Sequence, residues 1–301
     1  MKYLIVGGVA GGATVAARLR RNDEKAQIIL FERGEYVSYA NCGLPYYIGG
    51  TIKERNKLFV QTVKGFVSRF RIDIRTRQEV TRILPDTKQV EVKNLQSGEV
   101  YTESYDKLVL SPEPLRPRIE GIDSPKIFTL RNVPDTDAIK GFLQQTNPKK
   151  AVVVGGGFIG LEMAENLHEA GVQVTVIEMA DQVMAPLDFS MAAMVHQHLT
   201  SKGVTLLLGD GVKKFETLAD QSLAVHLSSG KTVQTDLVIL SIGVRPENQL
   251  AREAGLSLGE RGGIQVNAYL QTSDPNIYAL GDAVEIQHLI THKPAMIPLA
   301  G

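Results

Sequence analysis

Short apolar runs, each followed at once by glycines, divide the chain into two similar halves. Runs of this length without polar interruption are typical of strands buried on both faces of a parallel sheet. In each half the order is strand, glycine turn, helix and second strand, which predicts one βαβ unit per half. The predicted elements are strands at 3–6 and 28–31 around a helix at 13–21, and strands at 150–154 and 172–177 around a helix at 161–170.

Further elements follow each unit in the same order. Alternating apolar and polar positions between turn residues predict a small antiparallel meander in each half, and later apolar runs return to the parallel sheet. The predicted helices are 58–70 and 190–202, the meanders lie within 79–110 and 212–235, and the remaining strands are 72–75, 107–110, 204–208, 237–240 and 276–280.

Pro112, Pro114 and Pro117 mark a linker between the two halves. The sequence therefore predicts an α/β protein with two Rossmann-like dinucleotide-binding domains of the three-layer ββα type, the second inserted in the first. The first domain is predicted to comprise residues 1–112 and 246–301, and the second to comprise residues 113–245.

The composition limits the functions that this chain is expected to have. Lysine plus arginine equals aspartate plus glutamate, 33 of each, so no net charge favours nucleic acid or an anionic membrane as a partner. A single cysteine forms no internal disulfide, which points to a reducing compartment. The chain starts without a signal-peptide pattern, and no apolar run approaches the length of a membrane span, so we expect a cytoplasmic protein.

The first glycine turn, from Gly7 to Gly12, lies between a predicted strand and a predicted helix. Glu32 ends the next strand, twenty residues beyond Gly12. Glycines allow a tight turn with phosphates at a helix N-terminus, and the acid accepts hydrogen bonds from a ribose. Val9 departs from the usual pattern, because it occupies the position where a glycine would let the backbone approach a pyrophosphate. The turn nevertheless predicts a nucleotide site.

The second glycine turn is a complete G-x-G-x-x-G. Gly155, Gly157 and Gly160 follow a strand and open a helix, and Glu178 ends the next strand eighteen residues after Gly160. A glutamate here accepts from both ribose hydroxyls and repels a 2′-phosphate, and no arginine follows within several residues. The pattern therefore favours NADH over NADPH.

Cys42 is the only cysteine in 301 residues, and it lies between the two glycine turns in the sequence. Pro45 predicts the start of a short helix just after it, and a thiol at a helix N-terminus is more often present as thiolate. The alternative is a small buried hydrophobe, which most free cysteines are. Two nucleotide sites indicate either two cofactors or a duplicated domain with one inactive copy. The cysteine supports two cofactors, because a flavin accepts hydride from a nicotinamide and passes both electrons to sulfur.

The order of five motifs resembles the FAD- and NAD(P)-dependent disulfide oxidoreductases. Within that family the chain is most similar to the single-cysteine coenzyme A-disulfide reductases and their relatives described as NADH-dependent persulfide or polysulfide reductases. The motifs are G-x-x-x-x-G at 7–12, S-x-x-x-C-G-L-P-Y-Y at 38–47, G-x-G-x-x-G at 155–160, G-V-R-P at 243–246 and Y-A-L-G-D-A at 278–283.

The resemblance implies a set of site residues. Cys42 would be the catalytic residue. FAD would be bound by Gly7, Val9, Ala10, Gly11, Gly12, Glu32, Arg33, Gly281, Asp282 and Ala300. NADH would be bound by Gly155, Gly157, Phe158, Ile159, Gly160, Glu162, Glu178 and Gly243. Coenzyme A, as bound thiol or as substrate, would be bound by Thr14, Arg18, Arg21, Ser38 and Asn41.

Arginine forks suit the phosphates of coenzyme A, which gives the assignment of Arg18 and Arg21 a physical basis. The alternative is that Arg18, Arg20 and Arg21 simply complement a helix C-terminus. The six histidines show no metal-binding or acid/base pattern, and His196 and His198 are expected on a helix facing solvent. We therefore predict no metal site.

Tyr47 occupies the position where a two-cysteine reductase of this family has its second cysteine. The cycle is therefore expected to use an external partner, with Cys42 either in a mixed disulfide with coenzyme A or oxidised to sulfenic acid, as in NADH oxidases and peroxidases. Those oxidases typically carry a histidine in the first glycine turn, and its absence here favours thiol chemistry. The small-molecule substrate would be a disulfide, a persulfide or a polysulfide. A non-enzymatic thiol redox sensor that binds FAD and NADH is the remaining alternative.

Two departures from the family pattern are visible. Ser111 and Pro112 run directly into Glu113 and Pro114, where relatives have a Ser-Pro-Gly-Ala turn near the FAD phosphates, so that turn is either remodelled or lacks residues. The chain also stops where relatives continue into a dimerisation domain and, in some members, a rhodanese domain. We expect a fragment, and a homodimer for the full-length family member.

Overall fold

The computed structural model describes residues 1–112, 119–243 and 246–297. By contacts the chain forms two compact units. The first unit comprises Met1–Ala40, Phe59–Leu115 and Val244–Gly301, and the second comprises Asn41–Leu58 and Arg116–Gly243. The segment Asn41–Leu58, which carries Cys42, thus groups with the second unit rather than with the sequence around it. The predicted domain boundaries did not separate this segment.

The described chain contains both strands and helices. In chain order the strands are β1 (Lys2–Val6), β2 (Gln27–Glu32), β3 (Asp73–Thr76), β4 (Gln78–Leu84), β5 (Gln89–Asn94), β6 (Val100–Ser104), β7 (Lys107–Leu110), β8 (Ile127–Thr129), β9 (Lys150–Val154), β10 (Gln173–Ile177), β11 (Thr205–Leu207), β12 (Val212–Thr217), β13 (Leu223–Leu227), β14 (Thr232–Thr235), β15 (Leu237–Leu240), β16 (Ile264–Gln265), β17 (Ile277–Ala279), β18 (Val284–Gln287) and β19 (Pro294–Ala295). The helices are α1 (Ala10–Asn22), α2 (Leu44–Gly49), α3 (Val63–Phe70), α4 (Val133–Thr146), α5 (Phe158–Glu169), α6 (Phe189–Ser201) and α7 (Gln249–Glu253). Short 3₁₀ turns lie at Asn41–Gly43, Arg55–Leu58, Pro85–Thr87 and Gly281–Ala283.

The first unit is built on a parallel sheet with the strand order β17-β7-β1-β2-β3. One face of this sheet packs against the antiparallel sheet β4-β5-β6, where Val90 and Val92 join Leu4 in one core. The other face packs against α1 and α3 through Ala16 and Phe66. The unit therefore has three layers, with its apolar strands buried on both faces as their composition predicts.

The second unit repeats this arrangement with the strand order β11-β10-β9-β15-β8, all parallel. The antiparallel sheet β12-β13-β14 covers one face, where Phe215 and Val225 pack with Val152 and Ile177. Helix α5 packs against β9 and β10. The predicted fold class, α/β with two Rossmann-like units, is confirmed.

One predicted helix was wrong in its extent. Residues 58–70 were expected to form a single helix, but a 3₁₀ turn ends at Leu58 and α3 begins only at Val63. Thr62 caps α3, because its side-chain oxygen accepts a hydrogen bond from the backbone N–H of Gly65 at 3.1 Å. His196 also differs from the expectation: it is half-buried, and its Nε2 accepts from the backbone N–H of Val183 at 3.1 Å.

Two uncrowded glycines in the second unit differ in their backbone conformation. A Cβ added at Gly141 or at Gly171 would meet no atom within 4 Å, but only Gly171 has a positive φ, +85°. Gly141→Ala in α4 is expected to raise the free energy of unfolding by about 0.5–1 kcal/mol, because glycine is a poor helix former. Gly171→Ala should lower it by about 1 kcal/mol or more. Urea unfolding of both variants measures the two changes in the free energy of unfolding. Equal changes would contradict this prediction.

Candidate functional site

The first glycine turn brings the ends of three elements of the first unit into close contact. Gly7 has φ +98°, and a Cβ there would lie 2.0 Å from the carbonyl oxygen of Ser111, just after β7. A Cβ at Gly12 would lie 1.8 Å from the carbonyl oxygen of Gly7. Only glycine fits at these two positions, so the turn after β1 is as tight as a phosphate-binding turn requires.

Glu32 lies at the carboxyl end of β2 and is 4% exposed. Its Oε2 accepts a hydrogen bond from the backbone N–H of Gly8 at 2.7 Å, and its Oε1 accepts from that of Gly34 at 2.6 Å. The carboxylate thus joins the glycine turn to the residues after β2. It also borders a cleft of about 270 Å³ whose lining includes Gly7, Phe31 and Arg33.

The Val9 departure does not expose a side chain at the turn. Val9 is 8% exposed, and α1 begins directly after it at Ala10. Gly11 approaches the β7 end closely, since a Cβ there would lie 2.6 Å from Ser111 Oγ. The helix therefore starts three residues earlier than the sequence predicted, within the glycine turn itself.

Asp282 lies in the 3₁₀ turn Gly281–Ala283 at the carboxyl end of β17. The same Ser111 hydroxyl lies 3.5 Å from where a Cβ on Gly281 would be, so this turn adjoins the first glycine turn. Neighbouring protein atoms desolvate the Asp282 carboxyl and raise its pKa, although the side chain remains exposed. The predicted site residue Ala300 lies outside the described residues.

The second glycine turn repeats the geometry of the first within the second unit. A Cβ at Gly155, which has φ +106°, would lie 2.3 Å from the carbonyl oxygen of Ser241, and one at Gly160 would lie 2.0 Å from that of Gly155. A Cβ at Gly157 would meet no atom within 4 Å. The middle glycine therefore faces open space, where a bound pyrophosphate could approach the backbone.

Glu178 makes the same two contacts in the second unit that Glu32 makes in the first. Its Oε2 accepts from the backbone N–H of Gly156 at 2.6 Å, and its Oε1 accepts from that of Ala180 at 2.8 Å. We call this arrangement, in which one glutamate accepts from its glycine turn and from the residue two positions later, the acid bridge. Its presence in both units was not predicted.

The other predicted residues of the second unit lie around its turn and on α5. Phe158 and Ile159 begin α5 and are 50% and 40% exposed, which is unusual for large apolar side chains. Gly243 follows β15 with φ +85°. Glu162 lies one turn further along α5. Exposed apolar side chains beside a glycine turn suit a flat aromatic ligand.

Burial, and secondarily the Glu165 carboxylate, raise the pKa of Glu162 above its ordinary value of 4.5. The folded state therefore binds this proton more tightly than the unfolded state, and ionised Glu162 lowers stability at neutral pH. Glu162→Gln is expected to raise the melting temperature at about pH 8, and the gain should shrink as the pH falls towards the ordinary glutamate value. Glu169→Gln, an exposed carboxylate on the same helix, is the control. A gain independent of pH would contradict this origin.

Cys42 is an exposed free cysteine in the 3₁₀ turn Asn41–Gly43, directly before α2. Pro45 lies in the first turn of α2, as its position in the sequence predicted. Gly50 ends the helix in the left-handed conformation, and its N–H donates to the carbonyl oxygen of Tyr46 at 3.1 Å. The exposed thiol excludes the alternative of a small buried hydrophobe.

The predicted substrate residues lie on α1, on the loop after β2 and in the 3₁₀ turn that carries Cys42. In the first unit Arg18 and Arg21 are exposed on α1, and Arg21 lies 5.8 Å from the centre of the Phe70 ring. The hydroxyl of Thr14 donates to the carbonyl oxygen of Ala10 at 2.7 Å. Arg20 instead binds backbone carbonyls, including that of Phe70 at 2.7 Å. Arg20 therefore fits the alternative in which an arginine complements the helix C-terminus. Arg18 and Arg21 do not, since they are exposed to solvent.

Ser38 has a φ of +49°, which is uncommon for a residue with a side chain. Its N–H donates to the carbonyl oxygen of Gly8 at 2.9 Å, and its own carbonyl oxygen accepts from the N–H of Val60 at 2.8 Å. These backbone bonds hold the serine in this conformation. Asn41, the other predicted substrate residue of this stretch, is exposed at the start of the second unit's segment.

Sequence reasoning missed two side chains of α4 that contact the Cys42 segment. Asp137 binds Arg55 through both carboxylate oxygens, and Lys140 contacts Tyr47. Their spacing of three residues places them on one face of a helix, but no helix was predicted over residues 133–146. Nothing in that spacing indicates what the face contacts.

Two further features bound the chemistry. Within residues 1–112, 119–243 and 246–297, no three His, Cys, Asp or Glu side chains cluster to hold a metal ion. Among the helices of those ranges, none has the length and apolar character to cross a membrane. The candidate groups in those ranges are two tight glycine turns and the exposed thiol of Cys42.

Comparison with known proteins gives a consistent result. A family profile described as pyridine nucleotide-disulphide oxidoreductase matches residues 1–300. A coenzyme A disulfide reductase of Staphylococcus haemolyticus is 38% identical over 299 residues, which are 99% of this chain and 67% of that protein. The structure of reduced Bacillus anthracis CoADR-RHD is similar with a TM-score of 0.95 and 54% identity, over 99% of this chain and 54% of that one. An NAD-dependent persulfide reductase from A. fulgidus gives a TM-score of 0.94 at 38% identity, over 99% of this chain and 56% of that one. The chain thus spans little more than half the length of these two solved chains.

Proposed function

Because the chain belongs to the pyridine nucleotide-disulphide oxidoreductase family, we propose that it transfers two electrons from NADH through FAD to Cys42, which reduces a small-molecule disulfide or persulfide. The observation that carries this proposal is the exposed Cys42 directly before α2, in a chain with two tight glycine turns, each opening a helix. The coenzyme A disulfide reductase and persulfide reductase among the similar proteins support the sulfur acceptor.

The first unit suits FAD. Gly7 and Gly12 make a tight turn that would hold the pyrophosphate, Glu32 would accept hydrogen bonds from the ribose, and the nucleotide end would lie in the cleft beside it. Asp282, with a raised pKa, would bind the ribityl chain as the family resemblance implies. When bound, FAD supplies a two-electron carrier between a nicotinamide hydride and sulfur.

The second unit suits NADH. Gly157 leaves open space for the pyrophosphate, and Glu178 is fixed by its acid bridge where the adenosine ribose would lie. Both carboxylate oxygens retain lone pairs for the ribose hydroxyls, and their charge repels a 2′-phosphate. Phe158 would cover the flavin until nicotinamide displaces it, and Glu162 would lie near the nicotinamide.

Cys42 performs the sulfur chemistry in two balanced steps. A mixed disulfide between Cys42 and a thiol takes up two electrons and one proton, which releases the thiol and leaves the Cys42 thiolate. The thiolate then attacks a second disulfide, forms a new mixed disulfide, and expels a thiolate that takes a proton from water. The sum is one NADH, one disulfide and one proton consumed, with one NAD⁺ and two thiols formed. Because Tyr47 occupies the second-cysteine position, the cycle needs an external partner for Cys42, and an external thiol fills that role in these steps.

Coenzyme A is the proposed thiol. Its phosphates suit the exposed guanidinium groups of Arg18 and Arg21, and Thr14, Ser38 and Asn41 are the further binding residues that the resemblance implies. A persulfide carried on a smaller thiol would need fewer of these contacts. The arginines therefore favour coenzyme A as the thiol partner.

The testing experiment follows anaerobic NADH oxidation by the FAD-loaded protein with coenzyme A disulfide, a persulfide and a polysulfide in parallel. We expect thiol release in a ratio of two per NADH with the disulfide, and a dithiothreitol-reducible adduct of coenzyme A mass on Cys42 in the intact protein. Turnover only with oxygen or peroxide, with an oxygen adduct on Cys42, would replace this proposal with the oxidase or peroxidase alternative. Binding of both nucleotides without turnover would favour the redox sensor.

A further inference from the structure

The short helix that follows Cys42 depends on its neighbours for its position. Helix α2 has six residues, and a helix this short is not stable in water by itself. Its contacts within the second unit are with α4 and α5. The side chains that make those contacts therefore decide where the Cys42 thiol lies.

Lys140 of α4 contacts the last turn of α2 in two ways. Its Nζ donates a hydrogen bond to the backbone carbonyl oxygen of Tyr47, and it lies 4.0 Å from the centre of the Tyr47 ring. Carbonyls in a last helical turn lack a partner within the helix, so this bond satisfies one of them. The stacked ammonium adds a cation–π contact. Burial lowers the pKa of Lys140, in agreement with an ammonium partly enclosed by protein.

Asp137 lies one turn earlier on the same face of α4. Its carboxylate accepts a forked pair of hydrogen bonds from Arg55, at 2.9 Å from Nε and 2.7 Å from Nη2. Arg55 lies beyond the C-terminal end of α2, in the same segment. Lys140 and Asp137 thus attach this segment to α4 at two points, and both points follow Cys42 in the sequence.

Helix α5 provides the third point. A Cβ on Gly49 would lie 2.4 Å from Asn166 Oδ1, so the backbone of α2 lies directly against this side chain. Asn166 is 1% exposed, and its Nδ2 donates to the carbonyl oxygen of Glu162 at 2.8 Å. The close approach leaves little room for α2 to shift relative to α5.

We propose that Lys140 and Asp137 are positioning residues for Cys42. They fix α2 and the segment that follows it, so that the thiol stays at the place where its mixed disulfide is reduced and re-formed. This inference rests on the proposed function, and it assigns to α4 a part in the thiol steps alone. Neither side chain belongs to the second glycine turn or to the residues assigned to NADH.

The test compares Lys140→Met, Lys140→Arg and Asp137→Asn with Lys213→Met, an exposed lysine on β12. The first measurement is the rate of Cys42 alkylation by iodoacetamide as a function of pH, followed by intact mass. The second is turnover of the FAD-loaded protein with coenzyme A disulfide. We expect Lys140→Met and Asp137→Asn to lower kcat by about tenfold and to change the alkylation profile, because small displacements of reacting groups are costly. The KM for NADH should stay within about twofold of the parent value.

Lys140→Arg should restore most of the rate, because a guanidinium also donates to the Tyr47 carbonyl and stacks on its ring. Melting temperatures identify a variant that fails to fold. If Lys140→Met fails to fold, the alkylation and turnover of Asp137→Asn decide whether the positioning role holds. Parent-like alkylation and turnover in both variants would overturn the inference. If the parent protein itself shows no NADH-dependent thiol release, the proposed function fails, and the alkylation profiles alone then support or overturn the positioning role.

Discussion

Cys42→Ser is expected to lower NADH-dependent disulfide reduction by more than about a thousandfold, because a hydroxyl neither forms a mixed disulfide nor attacks one. Cys42 is exposed, so the substitution removes no core contact, and the melting temperature should stay close to that of the parent protein. Reduction of bound FAD by NADH should keep its rate. Anaerobic stopped-flow absorbance measures flavin reduction by NADH, and a thiol-release assay measures disulfide reduction separately.

The same variant decides between the proposed cycle and its alternatives. Thiol release at the parent rate from Cys42→Ser would contradict any role of the cysteine in turnover. Loss of flavin reduction together with thiol release would show that the cysteine is needed for binding or folding rather than for sulfur chemistry. The selective loss of thiol release is the result that supports the proposal.

The second large effect is expected at Gly160. A Cβ there would lie 2.0 Å from the carbonyl oxygen of Gly155, so Gly160→Ala forces the turn and α5 apart. We expect a loss of about 2 kcal/mol or more of folding free energy and no saturable reduction of FAD by NADH. Binding of FAD, assigned to the other unit, should persist. Urea unfolding and NADH titrations of flavin reduction measure the two effects.

Gly157→Ala is the matched comparison, because its Cβ would meet no protein atom within 4 Å. This variant should lose at most about 1 kcal/mol of folding free energy, since alanine is a poorer N-cap of α5 than glycine, while the methyl group occupies the space proposed for the NADH pyrophosphate. A KM for NADH raised by about tenfold, equivalent to about 1.4 kcal/mol, is expected. An unchanged KM would show that the pyrophosphate does not lie against this glycine.

Sequence patterns predicted the parallel strands except β8, because continuous apolar runs are typical of strands buried on both faces, whereas β8 has only three residues, all half-buried. Strands β7, β9 and β15 match their predicted ranges without change. The glycine turns were also predicted, because a position that has no room for a side chain must be glycine and is therefore visible in the sequence. The boundary of α3 was missed because it depends on one capping threonine, Thr62, within a helix-favouring run.

The sequence could not predict which side chains meet across long separations. Asp137 and Arg55 are 82 residues apart, and nothing local to either one indicates the other. The positive φ of Ser38 likewise arises from backbone bonds to Gly8 and Val60, which its own neighbours in sequence do not encode. Motifs therefore identified the candidate site residues, while the contacts that orient them required the fold.

If the second unit binds NADH as proposed, the acid bridge would link coenzyme choice to the stability of the second glycine turn. Glu178 would discriminate between NADH and NADPH with the same carboxylate that accepts from Gly156 and Ala180. Exchanging it for a small neutral residue would admit a 2′-phosphate, but it would also release two backbone donors, each worth about 1.5–3 kcal/mol when bound to a charged group. We therefore expect that a variant without the Glu178 carboxylate binds both coenzymes poorly. Use of NADPH would need a second substitution that supplies another acceptor for these two N–H groups.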